Sequence, residues 1–412
     1  MQLTYRFRLY PSRAQEQKLF TMLEQCRWLY NHFLELLNRK ENGKILGRYE
    51  LQAKLPKLKR ERPELEQVHS KVLQMVLHQL YSNLRALAEL KRNGRRVGRL
   101  RFKGRGWFKS FTYNQSGFKI IEGHGKRREL WLSKIGEIPI LLHREIDGEV
   151  KQIHIKHEHS GKWFACFDVE VEKAPKTTKI SKPIGIDLGI EHYIADSGGK
   201  FVGHPHNLTK SEWRLKREQR KLSRKKSSSK NRAKQCIKLA HVHERVRNQR
   251  FDFLHKLSRH YVNIYDFITV ENLEVKKLIE IAPNGKNRAD AAWATFIHMI
   301  TYKAERAGRW VMKVDAKGTS QRCSNCGEMV EKPLWERTHR CPRCGLKLNR
   351  DLNAARNILR IGLDEVGWEP AEFTPVEIEP LPARGMFSRR SRKSRTQDEA
   401  SSRVSSHYLA QC

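Results

Sequence analysis

Two pairs of cysteines in the last third of the sequence have the spacing of metal ligands. Cys323 and Cys326 form one C-x-x-C pair and Cys341 and Cys344 form the other, with fourteen residues between the pairs and a glycine after each. Four thiolates so arranged bind Zn²⁺ tetrahedrally, and glycine permits the tight turns that this requires. A redox dithiol is the alternative, but two pairs at this spacing favour zinc. Because four sulfur ligands leave no open position for water, we expect one structural Zn²⁺ ion that braces the chain.

Three acidic residues interrupt, end or begin runs in which a single acid is unusual. Asp187 interrupts the apolar run IGIDLGI, Glu271 ends the apolar run FITVE, and Asp351 begins the helix-forming stretch of NRDLNAARNIL. A charge within an apolar strand is costly unless a cation lies against it. Simpler interpretations exist: a turn residue for Asp187, a solvated strand end for Glu271 and a helix cap for Asp351. Along the chain the three acids fall on a strand, a strand end and a helix start. A ribonuclease H-like fold holds two Mg²⁺ ions with acids in this order.

Glycines stand on both sides of the first carboxylate. Gly185 and Gly189 flank Asp187 in IGIDLGI. Glycine in or beside a strand lets another backbone come close. We therefore expect another backbone, such as a nucleic-acid strand, to approach these two positions closely.

Apolar periodicity predicts the elements that must position these residues. The first dozen residues alternate as a strand does and stop at a proline, and later short runs, including KWFACFDVEVE, also predict strands. A polar stretch at TTKISKP predicts a domain boundary, after which IGIDLGI and YDFITVENL predict strands on either side of a basic helical pair. Apolar residues at helical spacing predict two early helices, at Leu19, Leu23, Cys26, Tyr30, Phe33 and Leu37 and at Leu73, Leu77, Leu80, Leu84 and Leu87.

The charge of the chain indicates a polyanionic partner. The 412 residues include 82 lysines and arginines against 45 acidic residues, a formal net charge of +37. A field of this sign and size favours nucleic acid, without saying what is done to it. No apolar run is long enough to span a membrane, and the scattered remaining cysteines argue against a disulfide framework. We expect a cytoplasmic protein of prokaryotic type, associated with the nucleoid when it binds DNA.

One basic stretch also carries aromatic residues. In RLRFKGRGWFKSF, four aromatic residues alternate with Lys103, Arg105 and Lys109. Such a pattern can stack bases and grip phosphates. The aromatic residues, Phe102, Trp107, Phe108 and Phe111, could equally be the core of a β-rich module. Lys103, Arg105 and Lys109 are therefore candidate nucleic-acid contacts.

Several motifs together resemble the transposon-encoded TnpB proteins, which are relatives of type V CRISPR effectors. They are YRFRLYPS, CRWLYNHFLELL, GIDLGI, TVENL, YKAERAG, TSQRCSNCG, CPRCG and NRDLNAARNIL, and they span roughly residues 1–362. The resemblance implies an RNA-guided DNA endonuclease. It implies that Asp187, Glu271 and Asp351 bind two Mg²⁺ ions and that the four cysteines bind one Zn²⁺ ion.

The resemblance also implies an α+β multidomain fold. We expect a β-barrel wedge domain from residues 1–12 and 97–180, around a helical recognition domain at 13–96. A ribonuclease H-like (RuvC) nuclease domain should follow at 181–365. Within it we expect a basic helical insertion at 205–262 and a zinc element at 318–349. Residues 366–412 lack periodicity and are expected to form a disordered tail.

The implied partners are a guide RNA derived from the transposon end and a double-stranded target DNA, with no membrane contact. The basic helices at 209–262 would then contact the guide–target duplex, unless they are simply solvated. A short DNA motif beside the target would be read by residues of the helical and wedge domains, for which the candidates are Tyr49, Ser70, Lys71 and Gln74. Two other functions stay open: a guide-independent, structure-specific RuvC-type nuclease, and a non-cleaving nucleic-acid-binding regulator of transposition.

Overall fold

The computed structural model describes residues 1–39, 46–123, 127–177, 179–273, 291–315, 317–333 and 335–368. Met1–Trp368 form one unit. Most of the predicted tail lies outside the described residues. Its first residues are described, and the apolar Val366 and Trp368 pack against a cluster that includes Phe267 and Leu363. In the described part of the chain, no helix has the length and apolar character needed to cross a membrane.

A seven-stranded antiparallel sheet is built around the N-terminal strand. Its order is β2-β6-β7-β1-β5-β4-β3, and it is nearly closed. Inward-facing residues of the predicted alternation, such as Phe7 on β1 and Phe167 on β7, are fully buried, which confirms both strands. The strands are β1 Gln2–Leu9, β2 Ser110–Asn114, β3 Phe118–Ile121, β4 Arg127–Leu132, β5 Gly136–Leu141, β6 Glu149–His157 and β7 Trp163–Glu170.

Helices between β1 and β2 pack on this sheet and share its core. The whole stripe predicted for the first helix is buried. In the second predicted helix, at Ser70–Arg92, the apolar stripe is buried only as far as Leu80. Leu84 and Leu87 are half-buried because the final turns of this helix extend beyond the core. The helices are α1 Arg13–Arg39, α2 Arg48–Ala53, α3 Leu55–Glu61, a 3-10 turn Pro63–Gln67 and α4 Ser70–Arg92.

A second, mixed sheet follows, in the order β10-β9-β8-β11-β12. Strands β8, β11 and β12 run parallel, and β9 pairs antiparallel with β8. The carboxyl ends of parallel neighbours lie at one edge of a sheet, so the residues that end β8 and β11 are neighbours there. The strands are β8 Pro183–Asp187, β9 His192–Asp196, β10 Phe201–Gly203, β11 Phe267–Glu271 and β12 Trp310–Val314.

Four further helices and a small hairpin complete the described fold. The basic pair is confirmed as α5 and α6, separated by residues 224–229. The hairpin of β13 and β14 lies within the cysteine segment and leads directly into α8. The bounds are α5 Asn207–Ser223, α6 Lys230–Ile264, α7 Trp293–Arg306, β13 Thr338–Arg340, β14 Lys347–Asn349 and α8 Arg350–Glu365.

Candidate active site and metal centre

Asp187 and Glu271 meet at the carboxyl ends of two neighbouring interior strands, β8 and β11, of the second sheet. The parallel register pairs Val270 with Ile186, so the next residues, Glu271 and Asp187, lie side by side. Each side chain lies close enough to the other to shift its pKa. Burial, and then the charge of Asp351, raises the pKa of Asp187 to about 7. Burial, and then Asp187, raises the pKa of Glu271 to about 9. Two carboxylates this close and this buried can both ionise only if a cation compensates their charge.

Asp351 approaches the pair from helix α8. The helix cap is Asn349, whose Oδ1 accepts hydrogen bonds from the backbone N–H of Asp351 (2.8 Å) and of Leu352. The alternative that Asp351 caps the helix is therefore wrong. Its side chain is instead 3.7 Å from the guanidinium of Arg337, which also pairs with Glu191 at 3.0 Å.

Close packing of α8 on the sheet brings Asp351 to this edge. A Cβ added at Gly185 would lie 2.7 Å from both the Cβ and the backbone nitrogen of Leu359, and one at Gly362 would lie 2.6 Å from Cγ2 of Thr269. Both glycines are therefore required by the contact between helix and strands. The close approach of another backbone to Gly185 is confirmed, but that backbone belongs to α8 and not to a nucleic-acid strand. At Gly189 a Cβ would meet the carbonyl oxygen of His192 within the same turn.

The four predicted cysteines come together as a cluster. Their sulfur atoms all lie within 4.8 Å of one another, and the Cys326 and Cys341 sulfurs are 3.4 Å apart, too far for a disulfide. Each pair forms the same turn: the N–H of Gly327 donates to the carbonyl of Cys323, and that of Gly345 to Cys341, both at 3.0 Å. The cluster could hold a zinc ion. In the described chain it is the only group of three or more potential ligands this compact, and the three carboxylates are more widely spaced.

Polar side chains of α8 fasten the cysteine segment to the helix. Asn353 accepts a hydrogen bond from the N–H of Ser324 (2.9 Å) and donates to the carbonyl of Arg322 (2.7 Å). Asn357, one turn later, donates to the carbonyls of Thr319 and Arg322 at 2.8 and 2.6 Å. Both asparagines are buried. Neither was predicted from the sequence, although two asparagines four residues apart within an apolar helix face were the available signal.

The residues predicted to read a flanking DNA motif lie on two helices. Tyr49 on α2 is 73% exposed, and the Arg48 guanidinium lies 4.7 Å from its ring. Ser70 begins α4 and accepts a hydrogen bond from Lys59, while Lys71 and Gln74 are half-buried. Their role in DNA recognition stays a prediction.

The aromatic residues near Lys103, Arg105 and Lys109 divide into two groups. Phe108 and Phe111 are buried in the core of the first sheet, as the core alternative expects. Phe102 and Trp107 are exposed. Neither interpretation of the stretch therefore accounts for all four.

Family models match most of the chain. They are described as a probable transposase (residues 166–282), a Cas12f1-like TNB domain (293–358) and a helix-turn-helix domain (1–44). A protein of Streptomyces pristinaespiralis named "Putative RNA-guided DNA endonuclease" is 32% identical over 374 residues, covering 87% of this chain and 89% of that protein. The chain belongs to the TnpB family. The predicted membership is thereby confirmed.

Other relatives of this TnpB-family chain agree. "Putative RNA-guided DNA endonuclease InsQ" of Escherichia coli (strain K12) is 29% identical over 380 residues, covering 87% of this chain and 92% of that protein. A cryo-EM structure of a Cas12f1–sgRNA–target DNA complex matches with a TM-score of 0.58 at 16% identity, over 87% of this chain and 98% of that one. At this identity the structural likeness shows a shared fold.

Proposed function

We propose that this TnpB-family protein is an RNA-guided DNA endonuclease. It would bind a guide RNA derived from the transposon end and cut matching double-stranded DNA beside a short flanking motif. Asp187, Glu271 and Asp351 would be its catalytic residues, in a RuvC-type domain at 181–365. The observation that carries the proposal is the pair of carboxylates that the parallel register places side by side at adjacent strand ends, where burial and their mutual charge raise both pKa values. Strongly perturbed acids at one edge of a sheet are typical of functional sites.

The three acids fit divalent cations. Carboxylate oxygens are the ligands that Mg²⁺ prefers, and the raised pKa values of Asp187 and Glu271 mean that a cation would be needed for both to ionise at neutral pH. Two bound Mg²⁺ ions would supply an activated water and neutralise the leaving oxygen of a phosphodiester. The cations would be held by Asp187 at the end of β8, Glu271 at the end of β11 and Asp351 on α8.

The cysteine cluster would hold one Zn²⁺ ion as a brace. Four thiolates suit zinc and leave no position for water. The hydrogen bonds of Asn353 and Asn357 join the cysteine segment to α8. Zinc would therefore order the segment that leads into Asp351.

RNA guidance is supported by the names of the relatives and by the charge. In RNA-guided nucleases base pairing reads the target sequence, and the protein holds the duplex by its shape and backbone. A formal charge of +37 suits that task. Domains 1–12 with 97–180 and 13–96 would act as wedge and recognition domains, and helices α5 and α6 would contact the guide–target duplex.

Conservative substitutions of the acids test the proposal. Asp187→Asn and Glu271→Gln should abolish cleavage of a guide-matched plasmid in Mg²⁺ but leave RNA binding within about twofold, because metal binding and duplex holding use different residues. Asp364→Asn is the matched control, since that carboxylate is exposed at the opposite end of α8 from Asp351. Near wild-type cleavage by Asp187→Asn would remove it from the active site. Absence of cleavage by the wild-type protein would favour the regulator.

A further inference from the structure

The segment that joins α4 to β2 is strongly basic and irregular. Residues 93–109 include seven lysines or arginines and no acidic residue. Among them Trp107 is 77% exposed and Phe102 is 57% exposed. Exposed aromatic side chains grouped within a basic segment are typical of an interaction surface.

This segment is fixed from its middle by helix α1. Asn31 holds Lys103 in both directions: its Oδ1 accepts from the Lys103 N–H at 2.7 Å, and its Nδ2 donates to the Lys103 carbonyl at 3.0 Å. Arg27 donates to the same carbonyl at 2.9 Å and is itself held by Glu24. The exposed rings are therefore carried by an anchored backbone, with little conformational entropy left to lose on binding.

A tight turn presents the indole. The N–H of Trp107 donates to the carbonyl of Gly104 at 3.0 Å, and Gly106, at the third position of the turn, has a φ of 75°. Such a φ favours glycine. A Cβ on Gly104 would lie 3.3 Å from Cδ1 of Trp107, so the indole lies against the turn. Most of the ring still faces solvent.

Beside the turn is a small cleft lined with cations. It has a volume of about 270 Å³, and Arg27, Arg105, Lys109 and Phe20 are among its lining residues. Burial lowers the pKa of Lys109, whose ammonium would gain from an anion. The one acid in the lining, Glu24, is already paired with Arg27.

We propose that the turn at residues 104–107 and this cleft bind an unpaired nucleotide of RNA. The indole of Trp107 stacks on the base, and Arg105 and Lys109 bind the adjoining phosphates, with Phe102 available to a neighbouring base. Stacking on aromatic side chains beside cationic groups is how single strands are held without sequence preference. The absence of carboxylates from 93–109 favours a polyanion over a protein partner.

The assignment to RNA rests on the proposed function. There RNA is the single strand that is present throughout, with unpaired bases in its loops and ends, whereas unpaired DNA arises only after the guide displaces one strand of the target. The residues concerned are separate from Asp187, Glu271 and Asp351. Binding can therefore be tested without cleavage.

The test is binding of the full-length protein to a fluorescent 15-nucleotide oligouridine RNA, over a range of salt concentrations. Trp107→Ala should weaken binding about 5- to 150-fold without changing the salt slope, and Trp107→Tyr should largely restore it. Arg105→Ala should instead lower the slope by about 0.7, the loss of one phosphate contact to a single strand. Trp335→Ala is the matched control, because that indole is 80% exposed and lies outside the basic segment.

Parallel arms use the same sequence as single-stranded DNA and an RNA duplex. Trp107→Ala that binds the oligouridine as tightly as Trp335→Ala would overturn the site. A loss confined to single-stranded DNA would overturn the assignment to RNA, and an equal loss for the RNA duplex would overturn the assignment to unpaired bases. Each result is independent of whether the protein cuts DNA, so failure here is distinct from failure of the proposed function.

Discussion

Replacing Gly185 by alanine tests how the fold brings the third carboxylate to the other two. The added Cβ would lie 2.7 Å from the Cβ and backbone nitrogen of Leu359 and would overlap the carbonyl oxygen of Ala355. Carbon atoms in contact are normally about 3.5–4.0 Å apart, so α8 would have to retreat by about 1 Å. Asp351 is carried on the first turn of that helix and would move with it.

The size of the effect should differ between stability and activity. Overpacking of this kind costs about 1–3 kcal/mol, which a chain of this size can tolerate. A displacement of about 1 Å in a catalytic group can lower the rate about 100-fold. We therefore expect Gly185→Ala to stay folded, to unfold at a lower temperature and to lose most of its cleavage.

The assay pairs thermal unfolding with single-turnover cleavage of a guide-matched DNA at saturating Mg²⁺. Gly203→Ala on β10 of the same sheet is the control, because a Cβ there meets nothing within 4 Å. If Gly185→Ala unfolds and cuts as Gly203→Ala does, then close packing of α8 does not position the site, and the reasoning is refuted.

Three further predictions concern the bracing and titration of the site. Asn353→Leu should lower cleavage while the protein keeps its zinc, because the backbone N–H of Ser324 loses its acceptor, at about 1–3 kcal/mol, while Asn357 still bonds the carbonyls of Thr319 and Arg322; loss of zinc together with activity would contradict this. Cys326→Ser should lower zinc content and cleavage together, whereas Cys236→Ser, at an exposed cysteine outside the cluster, should change neither. The metal-free protein should lose stability as the pH rises through 7 and 9, because the raised pKa values of Asp187 and Glu271 mean that the folded state retains protons that the unfolded state releases above about pH 4. Mg²⁺ should therefore raise the melting temperature more at pH 8.5 than at pH 6. An equal rise at both pH values would contradict the raised pKa values of Asp187 and Glu271.

Features that depend on local periodicity could be predicted from the sequence. The alternation of β1 and β7 and the helical stripe of α1 follow from burying one face of an element, so they were predicted correctly. The cysteine cluster was also predictable, because metal ligand spacing is a local property of the chain.

Features that depend on distant partners could not be predicted. Glycine is needed at position 185 because Leu359, which lies on α8 far away in the sequence, packs against it. The helix cap was ambiguous in NRD, since Asn349 and Asp351 both suit that position and only the backbone geometry selects Asn349. Likewise, spacing did not separate the buried Phe108 from the exposed Trp107.

Plasmid cleavage in Mg²⁺ with two different guide RNAs tests the central claim most directly. One plasmid should carry both matching sequences, each beside the same flanking motif, and the wild-type protein should be compared with Asp187→Asn. If cleavage is RNA-guided, the cut site should move when the guide is exchanged. Neither site should be cut without RNA or by Asp187→Asn. A cut that stays in place when the guide changes, or that appears equally without RNA, would contradict the account and favour a structure-specific nuclease.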